Sequence, residues 1–153
     1  MQDTYIIGQM NTYMHQLSEA LSVWLGKKLP IITDNWWNDL VYNNLTQLQR
    51  EKVDMKHISQ LNGLDLASLL RVFDRNWFLI TNTCFVNSKY RHEVKEMMEI
   101  RNYWAHLTSE AIPRDRVSRD VQVITSLMSA FDADSTVIQE IESFAVAVES
   151  DKQ

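Results

Sequence analysis

Three glycines and two prolines in 153 residues leave this chain few places to turn. An average soluble sequence devotes about 12% of its length to these two residues, which supply the backbone angles of tight turns. Sheets and α/β folds need many such turns, so the scarcity predicts a few long helices joined by few loops. Hydrophobic residues make up 45% of the chain and five are Trp, enough for the core of one domain and too many for a disordered segment. No apolar run approaches the ~18–20 residues of a membrane span, and the polar opening MQDTY is no signal peptide. The single cysteine, Cys84, forms no internal disulfide and suits a reducing compartment, with a small buried hydrophobe as its expected role. The expectation is a soluble, cytoplasmic, all-α protein.

A net charge of −5 argues against a nucleic-acid partner until its distribution is read. Residues 132–153 carry Asp132, Asp134, Glu140, Glu142, Glu149 and Asp151 against Lys152 alone, a balance of −5. The first 131 residues are therefore neutral. This divides the chain into a helical domain over 1–131 and an acidic C-terminal helix over 132–153, a junction to a further domain or partner.

Apolar residues recur at helical spacing in six stretches. The first runs from Thr4 to Leu25 with Gly26 as its stop. A second, Asn35 to Arg50, presents Trp36, Trp37, Leu40, Val41, Leu45 and Leu48. Residues 51–64 read as a polar connector with room for one short helical turn. Asp65 caps a third helix, Leu66 to Cys84, and Ser88 a fourth, Lys89 to about Leu107. After a loop over 108–113, Pro113 opens a fifth helix bearing Val117, Val121, Ile124, Leu127 and Met128. Thr136 with Gln139 forms a capping-box pair for the last. Short connections favour antiparallel neighbours, so the predicted architecture is an antiparallel bundle of about five to six helices.

Most reaction chemistries find no footing. Glycines at 8, 26 and 63 cannot form a phosphate-cradling or dinucleotide loop. Histidines at 15, 57, 92 and 106 make no HExxH or Glu-x-x-His, and His92 with Glu96 reads as a solvated face, so no metal site or cofactor is expected. Polar chemistry concentrates in EVKEMMEIRNYWAH, residues 93–106. Asn102 and His106 stack at i, i+4, and Arg101 lies about 140° round the helix from His106. Guanidinium suits a phosphate, and an imidazole, with an ordinary pKa of ~6.5, moves a proton at neutral pH. The same residues also suit a plainer role, an Arg paired with a carboxylate and a His packed at a helix end. Arg114, Arg116 and Arg119 follow the motif and are the nearest basic candidates for substrate binding.

Arg101-Asn102-x-x-x-His106 resembles the Arg-x(4–6)-His signature of the HEPN superfamily (higher eukaryote and prokaryote nucleotide-binding). Arg50 to His57 matches that spacing too, but Glu51 follows the Arg and the stretch is irregular. The string RNYWAH is similar to one branch, found on a eukaryotic mRNA-surveillance endonuclease and at the N-termini of prokaryotic defence ATPases, helicases and methylases. Trp36-Trp37, Asp65, Leu69, Leu70, Asn76-Trp77, Phe85 and Val94 extend the resemblance upstream, and Pro113 with Arg114-Asp115 downstream. It implies a helical bundle that forms a homodimer and cleaves RNA without a metal, the ribose 2′-OH attacking the adjacent phosphate. On that resemblance His106 acts as acid/base, Arg101 stabilises the phosphorane and Asn102 positions the phosphate or His106. Tyr103 would stack a base, while Trp104 belongs to the core or a dimer interface. The setting implied is phage defence or a toxin–antitoxin system, with a larger ATPase/helicase or an antitoxin as partner. The alternative is a non-catalytic HEPN module for dimerisation or RNA binding within a larger defence or restriction protein.

Overall fold

Helical periodicity is strong enough to carry α1 from Asp3 to Ile32, past the expected stop at Gly26 and through Pro30. Leu25 and Leu29 are fully buried there. Burying each contributes about 1.5–3 kcal/mol, against the ~1 kcal/mol that Gly costs inside a helix. Pro30 sits in the last turn and forfeits one backbone bond. The computed structural model describes residues 1–107 and 111–151. Residues 108–110 of the expected loop, and Lys152, lie outside them.

The expected second helix, Asn35 to Arg50, is broken. A π-helical turn, Trp37–Val41, passes into a 3-10 turn, Tyr42–Asn44, and α2 spans Gln47–Lys56. Thr46 and Gln49 form a capping box: the Thr46 hydroxyl accepts from the Gln49 N–H, and the Gln49 side chain accepts from the Thr46 N–H. That reciprocal bonding fixes a new helix start in the middle of the apolar pattern. Leu48, read as part of the apolar face, is 78% exposed in consequence.

Asn76 splits the expected third helix. Leu66–Arg75 forms α3 and Trp77–Thr81 forms the short α4. The Asn76 side chain, 1% exposed, donates to the Leu40 carbonyl at 2.7 Å and the Val72 carbonyl at 2.8 Å. Asn44 donates to Asn76 Oδ1 at 3.4 Å, and Arg71 Nε donates to the Asn44 carbonyl at 2.6 Å. An amide that binds its own backbone competes with helix continuation, and here it also ties α3 to the turn before α2. Cys84, beyond α4, is half-buried.

The remaining helices lie close to their expected limits. Lys89–Ala105 forms α5, Arg114–Ala130 α6 and Ser135–Ser150 α7. Two caps differ from expectation. Asn87, not Ser88, bonds the start of α5, accepting from the Lys89 N–H, and Asp134 rather than Thr136 caps α7, accepting from the Thr136 N–H. Arg91–Asp74 aligns α3 antiparallel to α5, Glu93–Ser126 and Trp104–Asp120 align α5 antiparallel to α6, and Ser118–Glu149 does so for α6 and α7. The splits and shifted starts give seven α-helices among the described residues, in the all-α bundle that the composition required.

Aromatic rings knit the core where α1, α3 and α6 meet. Trp24 lies 5.8 Å from Phe73 and 5.2 Å from Phe131, ring centre to ring centre. The acidic last helix packs its apolar face on the same core, with Phe144 5.3 Å from Tyr13. Removing the central amide tests the break in the third helix. Asn76→Ala leaves the Leu40 carbonyl without that donor, and about 2 kcal/mol of stability is lost. A thermal melt should fall by ~5 °C. An unchanged melting temperature would show that Asn76 does not hold this junction.

Candidate active site

The last two turns of α5 carry Arg101, Asn102, Tyr103 and Trp104, and His106 stands at the C-cap with its N–H donating to the Asn102 carbonyl. Trp104 fixes this segment. Its ring is 2% exposed, and its indole N–H donates to Asp120 Oδ2 at 2.8 Å. Arg116 Nε reaches the same oxygen at 3.1 Å, one turn away on α6. The Arg116 guanidinium carbon lies 3.5 Å from the centre of the Tyr103 ring. Two residues expected to meet substrate, Tyr103 and Arg116, are thus engaged with each other.

Arg101 Nη1 donates to Asn102 Oδ1 at 3.2 Å. The pair straddles two clefts of about 500 Å³ each. Arg101 and Ala105 line the first, together with Asp65, Lys52, Lys56 and residues of α1. Asn102 lines the second with Arg71, Arg75, Arg91 and Phe78. Gln49 borders both. His106 lies one turn beyond Asn102, exposed to solvent, and among the described residues its imidazole makes no hydrogen bond or ion pair. The site therefore offers a guanidinium, a carboxamide and an accessible imidazole along one helix end, a combination able to hold an anion and move a proton.

Of the other candidates, Arg114 is turned to α1. It pairs with Asp3 at 3.1 Å and donates to the Met1 carbonyl at 2.7 Å. Arg119 is 64% exposed, 3.8 Å from Asp120. The second Arg…His spacing places Arg50 on α2 and His57 at its left-handed C-cap, φ 55°. His92 and Glu96 are exposed, as a solvated face requires. Of the basic residues that border the motif, Arg91 lies on α5 itself, whereas Lys52 and Lys56 of α2 and Arg71 and Arg75 of α3 were missed by reading charge along the chain. One signal was available: Arg71 and Arg75 share a helix face at i, i+4.

A family model described as Swt1-like HEPN matches residues 12–132. No curated protein and no solved structure matches the chain.

Asp65 links the first cleft to the fold. Its side chain accepts from the Ser68 N–H at 2.9 Å and caps α3. Burial raises its pKa, but the hydrogen bonds from Ser68 and the charges of Lys52 and Arg101 outweigh burial and leave it below the ordinary carboxylate value. A depressed carboxylate contributes stability that is present above its unfolded pKa of ~3.9 and lost as pH falls through its folded value. Asp65→Ala should cost about 1 kcal/mol at neutral pH. In denaturant titrations that difference should shrink steadily below pH ~4. A difference that stays constant into acid would refute the ionic cap.

Proposed function

The chain belongs to the Swt1-like HEPN family, and from that premise we propose that it is a metal-independent endoribonuclease domain acting on RNA in the cytoplasm. One observation carries the reading: the family's Arg-Asn…His string falls where an exposed, mutually bonded Arg101–Asn102 pair divides two clefts, with His106 open to solvent one turn on. His106 takes the proton of the 2′-OH or supplies one to the leaving 5′-oxygen. Arg101 holds the non-bridging oxygens as charge builds on the phosphorane, and Asn102 orients the guanidinium through its carboxamide oxygen. The products are a 2′,3′-cyclic phosphate and a 5′-hydroxyl. We assign the activity to a phage-defence or toxin-type system, and its working form to a homodimer that faces two such helix ends across one cleft.

RNA incubated in EDTA should be cut and carry cyclic phosphate ends. Arg101→Ala and His106→Ala should each slow cleavage at least ~100-fold, with circular dichroism unchanged. RNA left intact by the native chain would refute the enzyme and favour the alternative, a non-catalytic HEPN dimerisation or RNA-binding module. The dimer has its own measurement. Sedimentation at micromolar concentration should return twice the 18.0 kDa of one chain, and a mass of one chain would exclude it.

A further inference from the structure

We infer that the cleft beside Asn102, walled by Arg71, Arg75 and Arg91 with Phe78 at its rim, is a track for single-stranded RNA leaving the Arg101–His106 centre. A backbone phosphate sits on Arg71 and Arg75, and a base stacks on Phe78. This rests on the reading of the chain as an RNA-acting domain, but not on its cleaving RNA.

Three features of the cleft point to an anion. Arg71 spends its Nε on the Asn44 carbonyl, which fixes its guanidinium, and among the described residues its terminal nitrogens make no hydrogen bond, so both are open to another acceptor. Arg75, one turn on, is exposed and makes no hydrogen bond or ion pair among the described residues. Among the described residues the only carboxylate lining the cleft is Asp74, and it already pairs with Arg91 at 3.2 Å and meets Lys95 at 4.0 Å. Burial and the charges of Arg75 and Arg50, opposed by Asp74, hold Arg71 below its ordinary value, so like charge is crowded there and a phosphate would relieve it.

Phe78 points to a base. It is 72% exposed, and the Arg91 guanidinium carbon lies 5.1 Å from its ring centre. An aromatic ring backed by a cation and otherwise open to solvent accepts any base by stacking. Alternating positive charge and an exposed ring is the pattern that binds single strands without reading sequence. Asn102 belongs to both the cleft and the motif, so an RNA bound at the centre has its flanking nucleotide within the cleft.

Fluorescence anisotropy with a short unstructured single-stranded RNA tests this on the full chain carrying His106→Ala, which keeps the RNA intact. Arg75→Glu should weaken binding about ten-fold and lower the salt dependence by ~0.7 in slope. Phe78→Ala should also weaken binding about ten-fold while leaving that slope in place. Both residues are exposed, so neither change threatens the fold. Arg71→Ala should add to the Arg75 effect, with thermal melting confirming that the protein remains folded. Wild-type affinity in Arg75→Glu and Phe78→Ala would overturn the track, and RNA cleavage by the native chain would still stand. Weakened binding in those variants, beside a native chain that never cuts RNA, would keep the track and remove the nuclease. A duplex RNA bound as tightly as the single strand, or no RNA bound at all, would overturn the track as well.

Discussion

The hydrogen bond from Trp104 to Asp120 is the contact on which the candidate site depends. Both groups are almost completely buried, at 2% and 1% exposure, and neither is tolerable there without the other. An indole N–H without an acceptor costs ~1–3 kcal/mol, and an unpaired buried carboxylate costs more. Arg116 supplies the compensating charge at 3.1 Å. The end of α5, which would otherwise fray, is clamped to the first turns of α6. His106 stands two residues beyond the clamp and Arg101 three before it, so the clamp sets the position of both. It also engages two of the basic residues nearest in sequence, Arg116 and Arg119. Arg116 neutralises Asp120 and covers Tyr103, and Arg114 holds the start of α1.

A second polar cluster does for the clefts what Asp120 does for α5. Asn76 reaches across to the Leu40 carbonyl and back to that of Val72, and Asn44 spans the same gap. Arg71 completes it through the Asn44 carbonyl. Buried amide networks of this kind specify one arrangement because every alternative leaves a donor or acceptor unpaired. The cost is a broken third helix. The return is geometric: α3 is fixed against the turn before α2, and Arg71 and Arg75 are aimed at the Asn102 side of α5.

How much of this was legible in the sequence follows from the range over which each determinant acts. The faces of α5, α6 and α7 repeat every three to four residues, and a periodicity reading recovers them nearly to their ends. The Thr46–Gln49 capping box was equally local but lay inside an apolar pattern that masked it. Asn76 was not legible as a break, because its partner Leu40 is 36 residues away. Nor was the continuation of α1 past Gly26, where burial of Leu25 and Leu29 by distant elements outweighs local propensity. The same holds for the site. Arg101, Asn102 and His106 form one short string, whereas Arg71, Arg75 and Arg91 become a group only when α3 and α5 pack.

Charge follows this tertiary logic as well. The acidity that sets the net charge at −5 resides on residues 132–153, with Glu140, Glu142 and Glu149 on α7 and Asp132, Asp134 and Asp151 at its ends; the apolar face of α7 meets α6 and Tyr13 of α1, and no α7 residue lines either cleft. Coulomb forces between exposed groups fade over a Debye length of ~8 Å at physiological salt. A phosphate placed in the second cleft would therefore respond to Arg71, Arg75 and Arg91, with Asp74 already paired, more than to a helix that does not line the cleft. The whole-chain charge averages over regions that do not communicate. What governs affinity for a polyanion is the number of cations without a carboxylate partner within one screening length of its path, and among the described residues such cations lie on both sides of the Arg101–Asn102 pair: Lys56 in one cleft, Arg71 and Arg75 in the other, while Lys52 pairs with Asp65 at 3.6 Å.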